Sequence, residues 1–466
     1  MATTESTTTP SVGFWTYLRN KDIDYFPRKK LRYWLLGLVV LAWTVQNFEA
    51  FKAGPVLPYI FTDFHTNLTV WGYLSAGAGV ATAAGGLVMG IWSDRIGRRP
   101  IIVWPVCFYG IIMVIGAVAP NLGIFALTLF LGALVVAGMA PAVTAACRDL
   151  SPQTGRATTF GWLGFAYTIG ALLSTWVAHL TIPIWPGFRA QYWIGAVMSG
   201  VVLVILAIFY RDLSPRIRGQ ILHDQAEAMN AQAHELGFTS LEEANKTGNL
   251  IFRDWRMWVL NGVVIFWGVA YVTVGSYVPL YIVQYDNIST ASSAGLASMF
   301  WITFTVALVF SGWLCDRLQV RKIVGTLGGI ATGIMFFVIA FLPKTHSIGE
   351  LSLIWAITGI CAGFIYPAYT ALISENAEAI SPFGVGRAFS LQMPLGLVAT
   401  LFLNLGLPHV VGDGSGWPTW MVISAICCLL IGSSIAIGGV GPWLSPSRAR
   451  NKKIKVEDPP VDAVGA

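Results

Sequence analysis

Apolar stretches of about twenty residues recur along the whole chain, and a helix of that length spans a hydrocarbon layer of roughly 30 Å. Hydrophobic residues make up 55% of the chain and charged residues only 11%, against about 25% charged in soluble domains. We therefore predict an all-α membrane protein with twelve transmembrane helices. Their predicted bounds are 34–61, 70–92, 100–119, 121–147, 157–181, 190–210, 256–283, 292–315, 322–342, 350–374, 387–409 and 417–441.

The basic residues fall almost entirely on one side of these predicted helices. Of the 29 Lys and Arg residues, 26 lie in the two terminal tails, the middle insert and the loops after even-numbered helices. Because cytoplasmic loops carry the excess of Lys and Arg, we predict cytoplasmic termini in the plasma (cytoplasmic) membrane, a cell inner membrane. The net charge of +6 is then a collar that faces anionic lipid, and not a nucleic-acid surface.

The predicted helices divide the chain into two halves of six around a polar insert. A tail covers 1–33, a first six-helix bundle 34–210, a cytoplasmic linker with short amphipathic helices 211–255, a second bundle 256–441, and a disordered cytoplasmic tail 442–466.

Two sequence matches indicate that the halves are related. The run that begins at Pro141 in the first half returns at Pro367, 226 positions later. The run that ends in Asp94 and Arg95 returns at Asp316 and Arg317, 222 positions later. Two matches at nearly one spacing indicate an internal duplication, and transporters built this way bind substrate between their repeats near the bilayer midplane. We therefore predict two pseudo-symmetric six-helix bundles.

The chain resembles the major facilitator superfamily of secondary transporters over this twelve-helix frame. The most specific element is the run Gly90-x-x-x-Asp94-Arg95-x-Gly97-Arg98-Arg99 between helices two and three. The resemblance implies the major facilitator fold, in which this loop acts as a conformational latch at the cytoplasmic helix ends. It implies the same role for Asp316 and Arg317, although Gln319 and Val320 replace the glycine of the second copy.

Four further charged residues lie at predicted cytoplasmic helix ends, and we interpret them as parts of the same latch. They are Arg148, Asp149, Glu375 and Arg387. The alternative interpretation is that they are solvated charges at the membrane interface, where an exposed ion pair contributes little free energy.

Two charged residues fall near the middle of the first predicted helix. Glu49 and Lys52 are three positions apart and therefore share a helix face. A charge at that depth costs at least a few kcal/mol, so such residues face a bundle interior or a water-filled cavity. We expect the pair to line a hydrated chamber between the two bundles.

Each member of this pair has a predicted role. Glu49 is the candidate proton-coupling group, because a carboxyl in a low-dielectric cleft can load and release a proton as its exposure alternates. Lys52 is the candidate ligand for an anionic substrate. The alternative for both is a fixed ion pair that only stabilises the bundle.

Other polar and aromatic side chains near the predicted midplanes indicate a cavity with hydroxyl donors and ring faces. Taken singly, most aromatic residues of membrane proteins serve packing or the interface. The candidate substrate-binding residues, besides Lys52, are Asn47, Tyr167, Tyr271, Tyr277, Tyr281, Tyr366, Tyr369, Gln392 and Asn404.

The run from Asn47 to Phe51 looks like the first-helix acidic motif of organic-acid (metabolite or aromatic-acid)/proton symporters, although Lys52 departs from it. The fifth helix has no proline between Thr158 and His179, so it lacks the motif typical of drug/proton antiporters. We therefore predict a secondary active transporter that carries a small organic anion, a mono- or dicarboxylate that can be aromatic, together with a proton. The alternatives are a proton-coupled drug or metabolite efflux antiporter, a sugar or polyol porter, and a membrane sensor that transports nothing.

The sequence does not indicate an enzyme. It holds no Walker-type phosphate loop and no paired catalytic carboxylates, and its six cysteines have no metal-ligand spacing. We expect no enzymatic activity, no cofactor and no metal. The expected partners are a small-molecule anion, a proton and the lipid bilayer, for a protein that works as a monomer.

Overall fold

The computed structural model describes residues 22–96, 98–150, 156–318, 320–343, 347–381, 383–441 and 443, with side chains at all of these except 87, 89–96, 156–160, 222, 225 and 228. These ranges are almost entirely helical. The α-helices are α1 (Lys29–Phe51), α2 (Leu57–Asp63), α3 (Leu68–Ile96), α4 (Arg98–Ala117), α5 (Leu122–Leu150), α6 (Arg156–Thr181), α7 (Arg189–Phe209), α8 (Pro215–Glu235), α9 (Leu241–Thr247), α10 (Trp255–Val272), α11 (Val278–Tyr285), α12 (Thr290–Leu318), α13 (Lys322–Ala340), α14 (Ile348–Gly363), α15 (Ile365–Ile380), α16 (Val385–Ser390), α17 (Gln392–Val411) and α18 (Trp417–Gly438). Two short strands, β1 (Asp22–Ile23) and β2 (Asp212–Leu213), pair in parallel.

Eleven helices or runs of consecutive helices in the described ranges are long and apolar enough to cross a bilayer. They correspond to eleven of the twelve predicted membrane helices. The remaining predicted helix corresponds to α3, whose 29 residues reach roughly 43 Å at the usual rise of an α-helix. The prediction of an all-α membrane fold is therefore confirmed.

The same helix pairs pack together in both halves of the molecule. In the first half α3 packs along α5, α1 along α6, and α4 along α7. In the second half the corresponding pairs are α12 with α14, α10 with α17, and α13 with α18. This repeated pattern gives the two pseudo-symmetric bundles that the sequence duplication predicted.

Two diagonal contacts join the bundles, one between α6 and α12 and the other between α3 and α17. The hydroxyl of Ser298 donates to that of Thr175 at 3.0 Å, and Nδ1 of His179 lies 2.7 Å from the carbonyl oxygen of Ala291. All four residues lie toward the helix ends remote from the linker helices α8 and α9. We call this the opposite end, and the end that carries the linker the basic end. The bundles therefore meet closely at the opposite end.

The first and seventh spans are both interrupted where they approach each other. A 3-10 turn at Gly54–Val56 separates α1 from α2, and a π-helical turn at Thr273–Tyr277 separates α10 from α11. Pro279 has no N–H to give to the carbonyl of Gly275 one turn earlier, which favours the irregular turn. A Cβ on Gly54 would lie 2.8 Å from that same carbonyl oxygen, so only glycine allows this backbone contact between the bundles.

The basic end of the first bundle is held by Asp212 of β2. Its Oδ2 accepts hydrogen bonds from the backbone N–H groups of Arg98 and Arg99 at 2.9 and 3.1 Å, at the N-terminus of α4. The Arg98 side chain also pairs with Asp149 at the end of α5, at 3.3 Å. The N-terminus of α4, the end of α5 and strand β2 are therefore tied together by these residues.

Substitution of Gly54 by Ala tests the contact between the interrupted spans. The new methyl group would meet the backbone of Gly275 and Ser276, which cannot rotate away as a side chain can. We expect a loss of about 1–3 kcal/mol of stability, seen as a lower thermal midpoint of the purified protein in detergent. Gly37→Ala in α1 is the matched control, because its Cβ meets nothing within 4 Å. Equal midpoints for the two variants would contradict this account.

Candidate functional site

Glu49 and Lys52 form a buried ion pair near the end of α1. Nζ of Lys52 lies 3.1 Å from Oε2 of Glu49 and also donates to the Glu49 carbonyl oxygen at 2.9 Å. Each of the two residues is only 3% exposed. The i,i+3 spacing on one helix face brings the two charges together, as the sequence predicted.

The recess around this pair is built by α4 and α7. The hydroxyl of Ser199 donates to Oε1 of Glu49 at 3.4 Å. The ring centroids of Tyr192 and Tyr109 lie 4.4 and 5.4 Å from Nζ of Lys52. A Cβ on Gly195 would lie 2.5 Å from Oε1 of Glu49, so glycine makes the room that the carboxylate occupies.

These contacts correct one expectation from the sequence. The described side chains that face Glu49 and Lys52 belong to α4 and α7, which are helices of the first bundle. The pair is therefore enclosed inside that bundle, and the prediction that it lines a chamber between the bundles is wrong for this conformation. For the same reason Lys52 is not placed to contact a substrate between the bundles.

A different set of side chains fills the space between the bundles near the middle of the spans. Phe51 of α1 packs against Tyr167, Tyr271 and Trp301, with ring centroids 5.7, 6.2 and 6.0 Å away. Tyr167 and Tyr271 face each other across the bundles at 5.6 Å. Trp267 lies 5.4 Å from Tyr271. We call these five residues the aromatic cluster.

Two polar atoms of the aromatic cluster are buried without a partner. The hydroxyl of Tyr271 and the indole N–H of Trp301 have no hydrogen-bond partner among the described residues. Tyr271 is 7% exposed and Trp301 is fully buried. Because a buried polar group left unpaired costs free energy, these two donors are suited to a ligand oxygen.

Some of the other predicted substrate residues lie beside the aromatic cluster, and others lie elsewhere in the second bundle. Tyr366 lies 6.4 Å from Trp267, at the edge of the aromatic cluster, and Gln392 donates to the Tyr369 hydroxyl at 2.8 Å beside it. Tyr277 donates to Asn404 at 2.6 Å within the second bundle.

Asn47 and Tyr281 are not brought into the aromatic cluster by the contacts described. The Asn47 amide donates to the Trp43 carbonyl oxygen at 2.7 Å on its own helix. Tyr281 stacks on Tyr285 and packs against Trp417, and the described ring contacts do not join it to the aromatic cluster, so its role in substrate binding stays a prediction.

The predicted latch residues form pairs within each bundle. Besides Arg98, Asp149 pairs with Arg148 at 3.2 Å. In the second bundle Arg321 bridges Asp316 at 3.3 Å and Glu375 at 2.9 Å.

The remaining latch candidates contribute other contacts or lie outside the description. Arg387 donates to the Asn245 carbonyl oxygen, and Arg317 lies over the ring of Trp313. Gly90, Asp94 and Arg95 lie in α3, at positions whose side chains are outside the described residues, as is Gly97 as a whole.

A cavity of about 360 Å³ opens elsewhere, between α6, α12 and α14 at the opposite end. Trp176, His179 and Ser298 are among the residues that line it, and the predicted substrate residues are not. Three exposed linker residues, His223, Asp224 and Glu227, bring possible metal ligands within 4.8 Å, but they occupy adjacent turns of one solvated helix. Neither feature touches the ion pair or the aromatic cluster.

Sequence reasoning missed the residues that surround the pair. Tyr109, Tyr192 and Ser199 were not selected, although Gly195 and Ser199 stand one helical turn apart in the sixth span. A small residue followed one turn later by a hydroxyl is a usable signal for close approach by a polar side chain from another helix.

Comparison with known proteins agrees with the fold. The family model of the Major Facilitator Superfamily matches residues 34–399. The chain belongs to this superfamily. Superfamily members are transporters and not enzymes, in line with the prediction from the sequence.

Relatives within the superfamily include transporters named for organic acids. The chain is 22% identical over 359 residues to the cis,cis-muconate transport protein of Acinetobacter baylyi, covering 75% of this chain and 81% of the relative. It is 20% identical over 425 residues to the 4-hydroxybenzoate transporter PcaK of Pseudomonas aeruginosa, covering 87% and 91%.

Among solved structures, the chain is similar to a bacterial homolog of the human lysosomal transporter Spinster in its inward-facing and unoccupied conformation. The TM-score is 0.69 at 16% identity, covering 88% of this chain and 98% of that one. At this identity the likeness concerns the fold alone.

Substitution of Gly195 by Ala tests the recess around the ion pair. The added methyl group would collide with both carboxylate oxygens of Glu49, at 2.5 and 2.8 Å. We expect a loss of about 1–3 kcal/mol of stability and a reduced rate of transport. Gly200→Ala on the same helix is the control, since its Cβ meets nothing within 4 Å. A thermal midpoint for the Gly195 variant equal to that of the control would show that the recess is not tight.

Proposed function

We propose that this Major Facilitator Superfamily protein imports a small organic anion, a mono- or dicarboxylate, together with a proton by alternating access. The observation that carries the proposal is the double role of α1. One face of this helix bears the titratable pair Glu49–Lys52, while Phe51 enters the aromatic cluster between the bundles. A change of protonation at the pair is therefore linked by one helix to the space between the bundles.

The aromatic cluster supports an organic acid as the substrate. Ring faces from both bundles offer stacking surface to a planar, unsaturated molecule. The Tyr271 hydroxyl and the Trp301 indole N–H are two donors for a carboxylate, and hydrogen bonds to a charged group are stronger than those between neutral groups. The relatives named for muconate and 4-hydroxybenzoate, both organic acids, agree with this substrate class.

Glu49 is the proposed proton site and Lys52 its counter-ion. With both groups ionised the pair is compensated inside the bundle. When Glu49 takes a proton, the ammonium loses its counter-charge, and a buried charge without compensation is costly. The packing of α1 against α4 and α7 must then adjust, and Phe51 moves with the helix.

We use the positive-inside rule to assign the side of the membrane that each end of the molecule faces. With both termini cytoplasmic in the plasma membrane, the basic end faces the cytoplasm and the opposite end faces outward. The contacts such as Thr175–Ser298 and His179–Ala291 then close the outer side. On this assignment the Arg98–Asp149 and Arg321–Glu375 pairs are latches at the cytoplasmic helix ends of a transporter that works as a monomer.

The variant Glu49→Gln tests the proton coupling. Glutamine keeps the size of the side chain and can accept from Ser199, but it cannot load a proton. We expect proton-driven accumulation of the acid to be abolished while exchange of internal for external acid continues. The measurement is uptake of a labelled aromatic acid into vesicles with and without an inward proton gradient. Uptake by the unaltered protein should rise at low external pH.

Glu242→Gln is the matched control, because the Glu242 side chain is 83% exposed in the linker. It should leave both accumulation and exchange unchanged. Proton-driven accumulation that survives in the Glu49 variant would remove the proposal. Export of the acid from loaded vesicles, driven by an inward proton gradient, would favour an antiporter instead.

The variant Tyr271→Phe tests the substrate site. It removes one unpartnered donor and keeps the ring, so binding of an aromatic carboxylate should weaken about tenfold, as expected for one hydrogen bond to a charged group. Ligand-induced thermal shift of the purified protein measures this. Tyr281→Phe is the control, since Tyr281 packs away from the aromatic cluster. Equal shifts in both variants would exclude Tyr271 as a donor.

A further inference from the structure

The ammonium group of Lys52 is held between two aromatic rings as well as by Glu49. Nζ lies 4.4 Å from the ring centroid of Tyr192 and 5.4 Å from that of Tyr109. The two rings come from different helices, α7 and α4, and are 1% and 6% exposed. Both distances are within the range of cation–π attraction, which is strongest at sites without water.

The ring of Tyr192, and not its hydroxyl, explains why a tyrosine can occupy this position. The Tyr192 hydroxyl is buried without a hydrogen-bond partner among the described residues. An unpaired buried hydroxyl is a cost, so the compensating gain must come from the ring. The ring face toward Lys52 supplies such a gain.

Glycines on neighbouring helices make room for both rings. A Cβ on Gly116 would lie 2.7 Å from the ring of Tyr192, and a Cβ on Gly132 would lie 3.2 Å from the ring of Tyr109. Gly195 does the same for the carboxylate of Glu49. Three helices therefore each provide a glycine where a side chain of the recess needs space, so the recess is shaped for these rings.

We propose that Tyr109 and Tyr192 are positioning residues that hold Lys52 as a cation in place while Glu49 carries a proton. This inference rests on the proposed function, in which Glu49 loads and releases that proton. Without the two rings, protonation of Glu49 would leave the ammonium with only the Glu49 carbonyl oxygen as its partner among the described residues. When Glu49 is protonated, its carboxylate no longer competes for the ammonium, and the rings become the main groups that stabilise the charge. We therefore expect the rings to favour the loaded state over the ionised one.

Few described side chains interact electrostatically with Glu49 and Lys52. The described side chains that interact electrostatically with the pair are its own two members on α1, the phenols of Tyr109 on α4 and Tyr192 on α7, and the hydroxyl of Ser199 on α7. A change in the pH dependence of transport after substitution of a ring is therefore attributable to the ring.

The test compares Tyr192→Phe with Tyr192→Leu in the full-length protein reconstituted into vesicles. Phenylalanine keeps the ring face, and leucine removes it. The readout is the external pH at which uptake of a labelled aromatic acid is half-maximal. We expect the phenylalanine variant to keep the unaltered midpoint and the leucine variant to shift it by about one unit toward acid, because the loaded state loses its cation–π support.

Several outcomes would overturn the inference. Equal midpoints for the two Tyr192 variants would show that the ring face has no role, even though proton coupling through Glu49 stood. A shift toward alkaline pH in the leucine variant would show that the rings oppose loading. If Tyr192→Leu does not fold, the pair Tyr109→Phe and Tyr109→Leu gives the same comparison on α4, with the same expected shift.

A second measurement separates positioning from general damage to the bundle. Exchange of internal for external acid at equal pH requires no net proton movement, so it should fall less in Tyr192→Leu than proton-driven uptake does. A loss of exchange equal to the loss of uptake would mean that the substitution merely disrupts packing. If the proposed function itself is wrong, Glu49→Gln will still accumulate the acid in a proton gradient, whatever the Tyr192 variants show.

Discussion

A carboxylate and an ammonium enclosed together inside one helical bundle impose the strictest requirement on this structure. Taking the two charges out of water costs several kcal/mol each, and their attraction repays that cost only with good geometry and further polar contacts. The recess supplies these contacts through Ser199 and two aromatic rings, and Gly195 lets the carboxylate approach closely. The packing of α4 and α7 against α1 therefore has to supply these contacts at the depth of Glu49 and Lys52.

The contact between the bundles follows from the same helix. Just beyond Lys52, α1 gives way to the turn at Gly54–Val56, whose backbone meets the π-helical turn at Thr273–Tyr277. Backbone groups that touch without intervening side chains transmit displacement directly, because close-packed interiors do not absorb it. On the proposed function, a shift of α1 caused at the ion pair would therefore displace the second bundle as well.

Much of the fold could be predicted from the sequence, because length and polarity determine what crosses a bilayer and a duplicated pattern determines the symmetry. The spacing of Glu49 and Lys52 likewise determined that they pair. Which neighbours the pair faces could not be predicted, since helical periodicity shows which residues share a face but not what packs against that face. The role of Tyr281 could not be predicted for a related reason: a tyrosine in an apolar helix has the same pattern whether it lines a cavity or packs in a core.

The duplication also shows how the two bundles have diverged. By the offsets of 222 to 226 positions, the equivalent of Glu49 in the second half falls within residues 271–275 of the seventh span. This segment has no charged side chain. The second bundle contributes Tyr271 and Trp301 to the aromatic cluster, where the first bundle contributes Phe51 and carries the ion pair behind it. Near the middle of the described spans, the charged pair thus lies in the first bundle, and the two unpartnered donors of the aromatic cluster lie in the second. On the proposed function, coupling between proton and substrate then passes through α1, which carries Glu49 and also brings Phe51 into the aromatic cluster.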